Sequence, residues 1–255
     1  TLVLNGSNGY TGGTALNGGT LVVGNNSALG SGLLTTANGT TLDSNTAVSL
    51  ANALNVNGSL TLGGSNALTL AGTVAGTGSL IKNGIANLTL SGNNTYAGPT
   101  ALNAGGLILA SNSALGSGAL NAAAGTTLDS STAVALANTV NLAGNLGILG
   151  TADLSLNGLV SGSGGLTKTG AGNLTLNGAN AYLGGTQLNA GSLTLGNASA
   201  LGSGALAVNG ATTLDTNTAL ALANNTSLNA ALTVGGSNDL SLNGVVDGSG
   251  SLTKA

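Results

Sequence analysis

The chain has 255 residues, of which 4% are charged, with three Lys, six Asp and a formal net charge of −3. Three lysines without Arg exclude the basic face that nucleic-acid phosphates require, and the absence of Cys excludes disulfides and thiolate metal sites. Gly supplies 46 residues and 42% are hydrophobic. The charge is far below the about 25% of an ordinary domain, and the apolar content too high for a chain disordered by its charge.

The three tyrosines, the only aromatic residues, lie in SNGYTGGT (Tyr10), NNTYAGPT (Tyr96) and GANAYLGGT (Tyr182), each 86 residues from the next. That shift superposes most of the chain without insertion or deletion. Residues 1–86, 87–172 and 173–255 are therefore read as three copies of one unit. Thr1 opens directly into the repeat, without the basic region and apolar stretch of an export signal, so a mature segment or a piece of a longer chain is expected.

Along the chain, the apolar runs LILA (107–110) and AVALA (133–137) fall well short of the roughly 20 residues of a spanning helix. TAVALANTV (132–140) has the weak look of a helix but is rich in β-branched residues and flanked by turn formers, and is read as strand and turn. NLTLNG (173–178), SLTLGN (192–197), ALAVNG (205–210) and DLSLNG (239–244) alternate apolar and polar residues and predict short strands. Asn-Gly, Gly-Gly and Ser-Gly pairs between them predict tight turns.

Leu174, Leu193, Leu214 and Leu232 are 19, 21 and 18 residues apart, about one coil of a parallel β-helix with three short strands. The expected fold is all-β, a β-solenoid with about four coils per 86-residue repeat and about twelve coils in all. A propeller, with blades of about 40 to 50 residues, lacks its aromatic or charged blade signatures here.

The segments GSGGLTKTGAGNLTLNGANAYLGGTQLNAGSLTLGNASALGSGAL (162–206) and GSLIKNGIANLTLSGNNTYAGPTALNAGGLILASNSALGSGAL (78–120) resemble the autotransporter-associated β-strand repeat, or passenger-associated transport repeat, of Gram-negative autotransporter passengers. The resemblance covers roughly the first half of each copy. It implies a right-handed parallel β-helix exported to the cell surface, an outer-membrane translocator barrel in the parent chain, and a role in transport or as an extended scaffold.

Residues suited to chemistry are few. Asp43, Asp129 and Asp215 are expected in one column, Asp153 and Asp239 in another, with Asp247 alone. Equivalent positions four coils apart lie beyond the about 5 to 9.5 Å of a glycosidase carboxylate pair, and no Arg, His or Glu completes such a site. Asp239 and Asp247 approach across a turn but read as solvated turn residues. GGSNDLSLNG (235–244) matches the calcium-binding nonapeptide poorly and does not recur every nine residues. Lys82, Lys168 and Lys254 form either an anion-binding stripe or spaced charges on a solvent face, and the second reading is favoured.

The Thr of TTLD (40–43, 126–129, 212–215) recur too sparsely for an ice-binding array. The serines of SALGSG (27–32, 113–118, 199–204) have no base to activate them and read as turn residues. The Asn-x-Ser/Thr sequons are discounted against the bacterial resemblance. Each tyrosine is expected at a Gly-rich corner, its ring on aliphatic surface and its hydroxyl wet or on backbone. Tyr10, Tyr96, Tyr182, Lys82, Lys168, Lys254, Asp43, Asp129 and Asp215 are thus structural markers of the repeat. No catalytic, cofactor or metal site is expected.

The functional expectation is a non-enzymatic extracellular structural solenoid, a stalk or filament module. The alternative is an adhesin binding glycan or host-surface ligands along a repeated face. Partners are expected to be further copies, head to tail or side by side, or such a surface ligand, and not nucleic acid.

Overall fold

A computed structural model describes residues 1–255. Its regular elements are 34 β-strands of two to five residues, without any helix, so no helix is long and apolar enough to cross a membrane. The strands pair in parallel and stack as a β-solenoid of about thirteen turns.

Local sequence explains the geometry. A three-residue strand such as Leu88–Leu90 or Leu154–Leu156 buries its first and third side chains and leaves the central Thr or Ser half-exposed, because successive side chains point to opposite faces. Each coil therefore directs pairs of small aliphatics inward. In-register stacking joins them into columns, such as Val48, Leu68, Leu88 and Leu107, or Leu154, Leu174 and Leu193. The stretch read as strand and turn forms Val134–Leu136 and Val140–Leu142.

Two compact units make up the chain, Thr1–Asn121 and Ala122–Ala255. In the first, one sheet includes strands from Leu2–Leu4 to Thr100–Leu102, a second runs from Thr14–Leu16 to Val74–Ala75, and a third from Val48–Leu50 to Gly106–Leu109. In the second unit one sheet runs from Thr127–Ser130 to Val246–Gly248, another from Val134–Leu136 to Leu252–Lys254, and another from Val140–Leu142 to Ala181–Tyr182. Leu220–Leu222 and Leu240–Leu242 form a further pair.

The coil length corrects the expected repeat geometry. Within one sheet Leu2 pairs with Leu21, Leu21 with Leu42, Leu42 with Leu62 and Leu62 with Lys82. Four coils thus use 80 residues and leave 6 of the 86-residue period, about one short strand and its turn. A repeat is four coils and about a third, not four. The expected twelve coils become about thirteen.

Residues one period apart consequently occupy different sheets. Leu2–Leu4 lies in the first sheet and its equivalent Leu88–Leu90 in the third, while Thr14–Leu16 lies in the second and Thr100–Leu102 in the first. In the second unit, Thr127–Ser130 and Thr212–Thr216 are separated in the same way. The leucine spacing misled at one point: Leu214 stacks on Val234 and Leu232 on Thr212, each 20 residues apart, so Leu214 and Leu232 are not partners. Both ends of a short strand point inward, and leucine alone does not mark which end is aligned.

Candidate functional site: the buried corners of the repeat

Two polar corners recur in each copy. The first is built on tyrosine. Tyr96 and Tyr182 are 0% exposed, and their hydroxyls meet the Oγ1 of Thr100 at 2.5 Å and of Thr186 at 2.6 Å. Both threonines are themselves buried. Tyr10 keeps the same bond to Thr14 at 2.7 Å but is 38% exposed. The hydroxyls of Tyr96 and Tyr182 are therefore buried rather than wet, and their close partner is a threonine side chain rather than backbone, with the Ala200 carbonyl 3.5 Å from that of Tyr182. Burial pushes the phenols of Tyr96 and Tyr182 up to about 12.

The SALGSG turn packs one coil further on. Its second serine donates its N–H to the tyrosine carbonyl, Ser117 to Tyr96 and Ser203 to Tyr182, while Ala114, Leu115, Ala200 and Leu201 enter the core. Gly116 has φ +56°, and a Cβ there would sit 2.2 Å from the Tyr96 carbonyl oxygen. Glycine is required by both conformation and space.

Asparagines tie these coils together. Asn94 Oδ1 accepts the Val74 N–H at 2.8 Å while its Nδ2 donates to the Ala114 carbonyl at 2.7 Å, and Asn180 does the same between Val160 and Ala200. Asn52 and Asn224 donate to glycine carbonyls of the SALGSG turns. Buried amides of this kind satisfy backbone groups that the turn leaves without ladder partners. Sequence reading treated Asn as a turn former and passed over them. The signal was available, since Asn8, Asn94 and Asn180, like Asn52, Asn138 and Asn224, recur at the 86-residue period.

The second corner joins aspartate to lysine, and here the expected solvent-face lysines are corrected. Lys82 and Lys168 are 1% and 0% exposed. Lys82 Nζ donates to the carbonyls of Gly84 and, at 3.3 Å, Ala104; Lys168 Nζ donates to those of Gly170 and, at 3.4 Å, Ala190. The long aliphatic stem fills an inward strand position, and the ammonium reaches carbonyls exposed by the Gly turns. Burial lowers both lysines from their ordinary value, opposed by Asp43 at Lys82 and by Asp129 and Asp153 at Lys168. Lys254 is exposed.

Asp43 holds the Gly63–Ser65 turn, on which the Gly84 turn stacks. It accepts the Ser44 N–H, the Ser65 N–H at 3.1 Å and the Ser65 hydroxyl at 2.7 Å. Burial alone would raise its carboxyl, but these bonds hold it below its usual value. The Ser237 hydroxyl, with backbone donors and Lys254, outweighs burial at Asp215 and lowers that carboxyl as well. Asp129 is bonded likewise by Ser130 and Thr151.

The expected single columns are not formed, because the period rotates each marker onto another sheet. Asp129 and Asp215 lie on different sheets of one unit, and Lys168 and Lys254 are divided in the same way. Asp153 accepts the Asn173 N–H at 2.8 Å, while Asp239 and Asp247 are exposed. No group of three or more His, Cys, Asp or Glu side chains comes together. The asparagines and lysines of these corners saturate backbone groups between coils, while each Tyr–Thr pair closes within its own coil.

Neither a curated protein nor a solved structure matches the chain. The family model of the passenger-associated-transport-repeat matches residues 1–23, 80–109 and 166–195. The middle match spans Lys82, its acceptors Gly84 and Ala104, and the Tyr96–Thr100 pair. Each matched segment holds a Tyr–Thr pair, and the second and third also hold a buried lysine, so the chain is similar to the passenger-associated-transport-repeat at these three places.

Proposed function

We propose that the chain is a non-catalytic structural segment of an extracellular, autotransporter-like passenger, a stalk or filament module that extends a bacterial surface protein. One observation carries this reading. Residues that recur once per repeat, Tyr96, Tyr182, Lys82 and Lys168, are 0 or 1% exposed; the lysine ammoniums and the tyrosine carbonyls bond the next coil, and the tyrosine hydroxyls close on a threonine of their own coil. Chemistry that a binding site would present outward is used inward for stacking. Each coil templates its neighbour, so length is added without a new core.

The repeat family supports export to the cell surface, with a translocator barrel in the parent chain. The adhesin reading differs in one measurable respect. The stalk reading expects no saturable binding of the 255-residue chain to a glycan and host-surface panel. Saturable binding that survives in a two-copy fragment overturns it in favour of adhesion.

A further inference from the structure

An asparagine followed by glycine is open to attack by the glycine's own backbone nitrogen on the side-chain amide, since glycine has no Cβ to hinder the approach. Two such sites share the same preceding residue, Val56-Asn57-Gly58 and Val208-Asn209-Gly210, and both asparagines are exposed. Their side chains are held very differently. Asn209 Nδ2 donates to Asn189 Oδ1 at 2.9 Å, and Asn209 Oδ1 accepts from Asn229 Nδ2 at 2.9 Å, a ladder that climbs one rung per coil. The Asn57 side chain makes no hydrogen bond.

The repeat shows why. Asn17, Ala37 and Asn57 lie two periods before Asn189, Asn209 and Asn229. The backbone is the same at both places: Ala37 and Asn57 donate their N–H groups to the Leu16 and Thr36 carbonyls, as Asn209 and Asn229 do to those of Leu188 and Val208. Only the middle side chain differs, and Ala37 leaves Asn57 without a rung to rest on. Elsewhere the amide oxygens of Asn-Gly pairs are engaged. Those of Asn5, Asn83, Asn157 and Asn177 accept from a second asparagine at 2.7 to 2.9 Å. Asn38 Oδ1 accepts the Ser59 N–H and hydroxyl, and the Gly39 N–H is itself bonded to the Ser59 carbonyl.

We infer that Asn57–Gly58 is a site of spontaneous deamidation in the folded chain, and that the asparagine ladder protects the Asn-Gly pairs it includes. The unheld Asn57 side chain swings its Cγ onto the Gly58 nitrogen, which gives its proton to hydroxide and forms the new C–N bond. The Cγ–Nδ2 bond breaks, and ammonia leaves with a proton taken from water. Water then opens the resulting succinimide at either carbonyl, giving aspartate or isoaspartate, with no change of oxidation state. A ladder asparagine must first release its partners in order to turn. The product adds a negative charge and, as isoaspartate, an extra backbone atom just before Ser59–Leu62, a strand paired on both sides. The inference holds for a stalk or an adhesin alike.

The test follows each site in the intact 255-residue chain. The chain is incubated in mildly alkaline heavy-oxygen water, so that each opened succinimide takes up the label, and its peptides are read by mass spectrometry. In the folded chain Asn57 should react at least roughly tenfold faster than Asn209, which has two side-chain hydrogen bonds to break. In urea only the shared Val-Asn-Gly sequence remains, and the two rates should converge.

Ala37→Asn supplies the middle rung and should slow Asn57 towards the rate of Asn209. Asn189→Ala combined with Asn229→Ala should raise Asn209 towards the rate of Asn57, with circular dichroism establishing that each variant is folded. Equal rates at the two sites in the folded chain, a difference that persists in urea, or an Asn57 rate indifferent to Ala37→Asn overturns the inference.

Discussion

Raising the pH probes the tyrosine corner directly. Burial, only partly offset by the Thr100 and Thr186 hydroxyls, moves the phenols of Tyr96 and Tyr182 from 10.0 to about 12. At about 1.36 kcal/mol per pKa unit, this is about 2.7 kcal/mol for each ring. The folded value lies above the unfolded one, so this stability is complete below about pH 10 and is lost as pH rises through about 12. Two rings together withdraw about 5 kcal/mol, comparable with the whole stability of a marginal domain, about 5 to 15 kcal/mol. Lys82 and Lys168 act with the opposite sign. Their folded values are lowered, so the unfolded chain holds its protons more firmly and stability rises with pH up to the ordinary lysine value of 10.5. Urea midpoints should accordingly climb towards about pH 10 and then fall steeply, with phenolate absorbance of the two buried rings appearing only in the falling limb. Replacing both Tyr96 and Tyr182 by Phe should flatten that fall. Ionisation of the buried phenols near pH 10.0 in a folded chain, or an undiminished fall in the double variant, would refute the reasoning.

Gly116→Ala places a methyl 2.2 Å from the Tyr96 carbonyl oxygen at φ +56°; a loss of roughly 1 to 3 kcal/mol is expected in thermal or urea unfolding, the strain range of such backbone positions. Asn94→Ala leaves the Val74 N–H and the Ala114 carbonyl without their side-chain partner, and should cost about 1 to 3 kcal/mol per orphaned group, with faster amide exchange at Val74 as the local reading. On the acid side Asp43 and Asp215 lie below the ordinary 3.8. Their contribution is present above that value and lost as pH falls through the lowered ones, so Asp43→Asn should reduce the acid sensitivity of the urea midpoint. Lys82→Met keeps the buried stem but leaves the Gly84 and Ala104 carbonyls without the ammonium; it should lower the midpoint at pH 7 by more than Lys254→Met does.

The strands were readable because alternation over three residues is an unambiguous signal: DLSLNG and NLTLNG announce Leu240–Leu242 and Asn173–Leu176 almost to the residue. The repeat was readable for the same reason, as tyrosine is too rare here to recur by accident. The rotation of the repeat was not, because it depends on a remainder of 6 residues after four coils. Leucine spacings of 18 to 21 blur a remainder that small. Lysine misled by spacing: Lys82 and Lys168 read as charges on a solvent face because they lie further apart than a Debye length of about 8 Å. In SLIK and LTK the lysine nevertheless occupies the inward last position of the strand, where the pattern elsewhere has Leu. Position outweighed charge, since the turn carbonyls were there to receive it.

The fractional coil makes the number of repeats an angular variable. Excising residues 87–172 removes four coils and about a third, and every remaining junction retains a sequence that already exists in the chain, so the shortened protein should fold. Whatever follows the excision would, however, be turned by a third of a revolution relative to whatever precedes it. Gain or loss of one repeat therefore re-aims the downstream surface, two repeats aim it at the remaining side, and three restore the original heading while changing only reach.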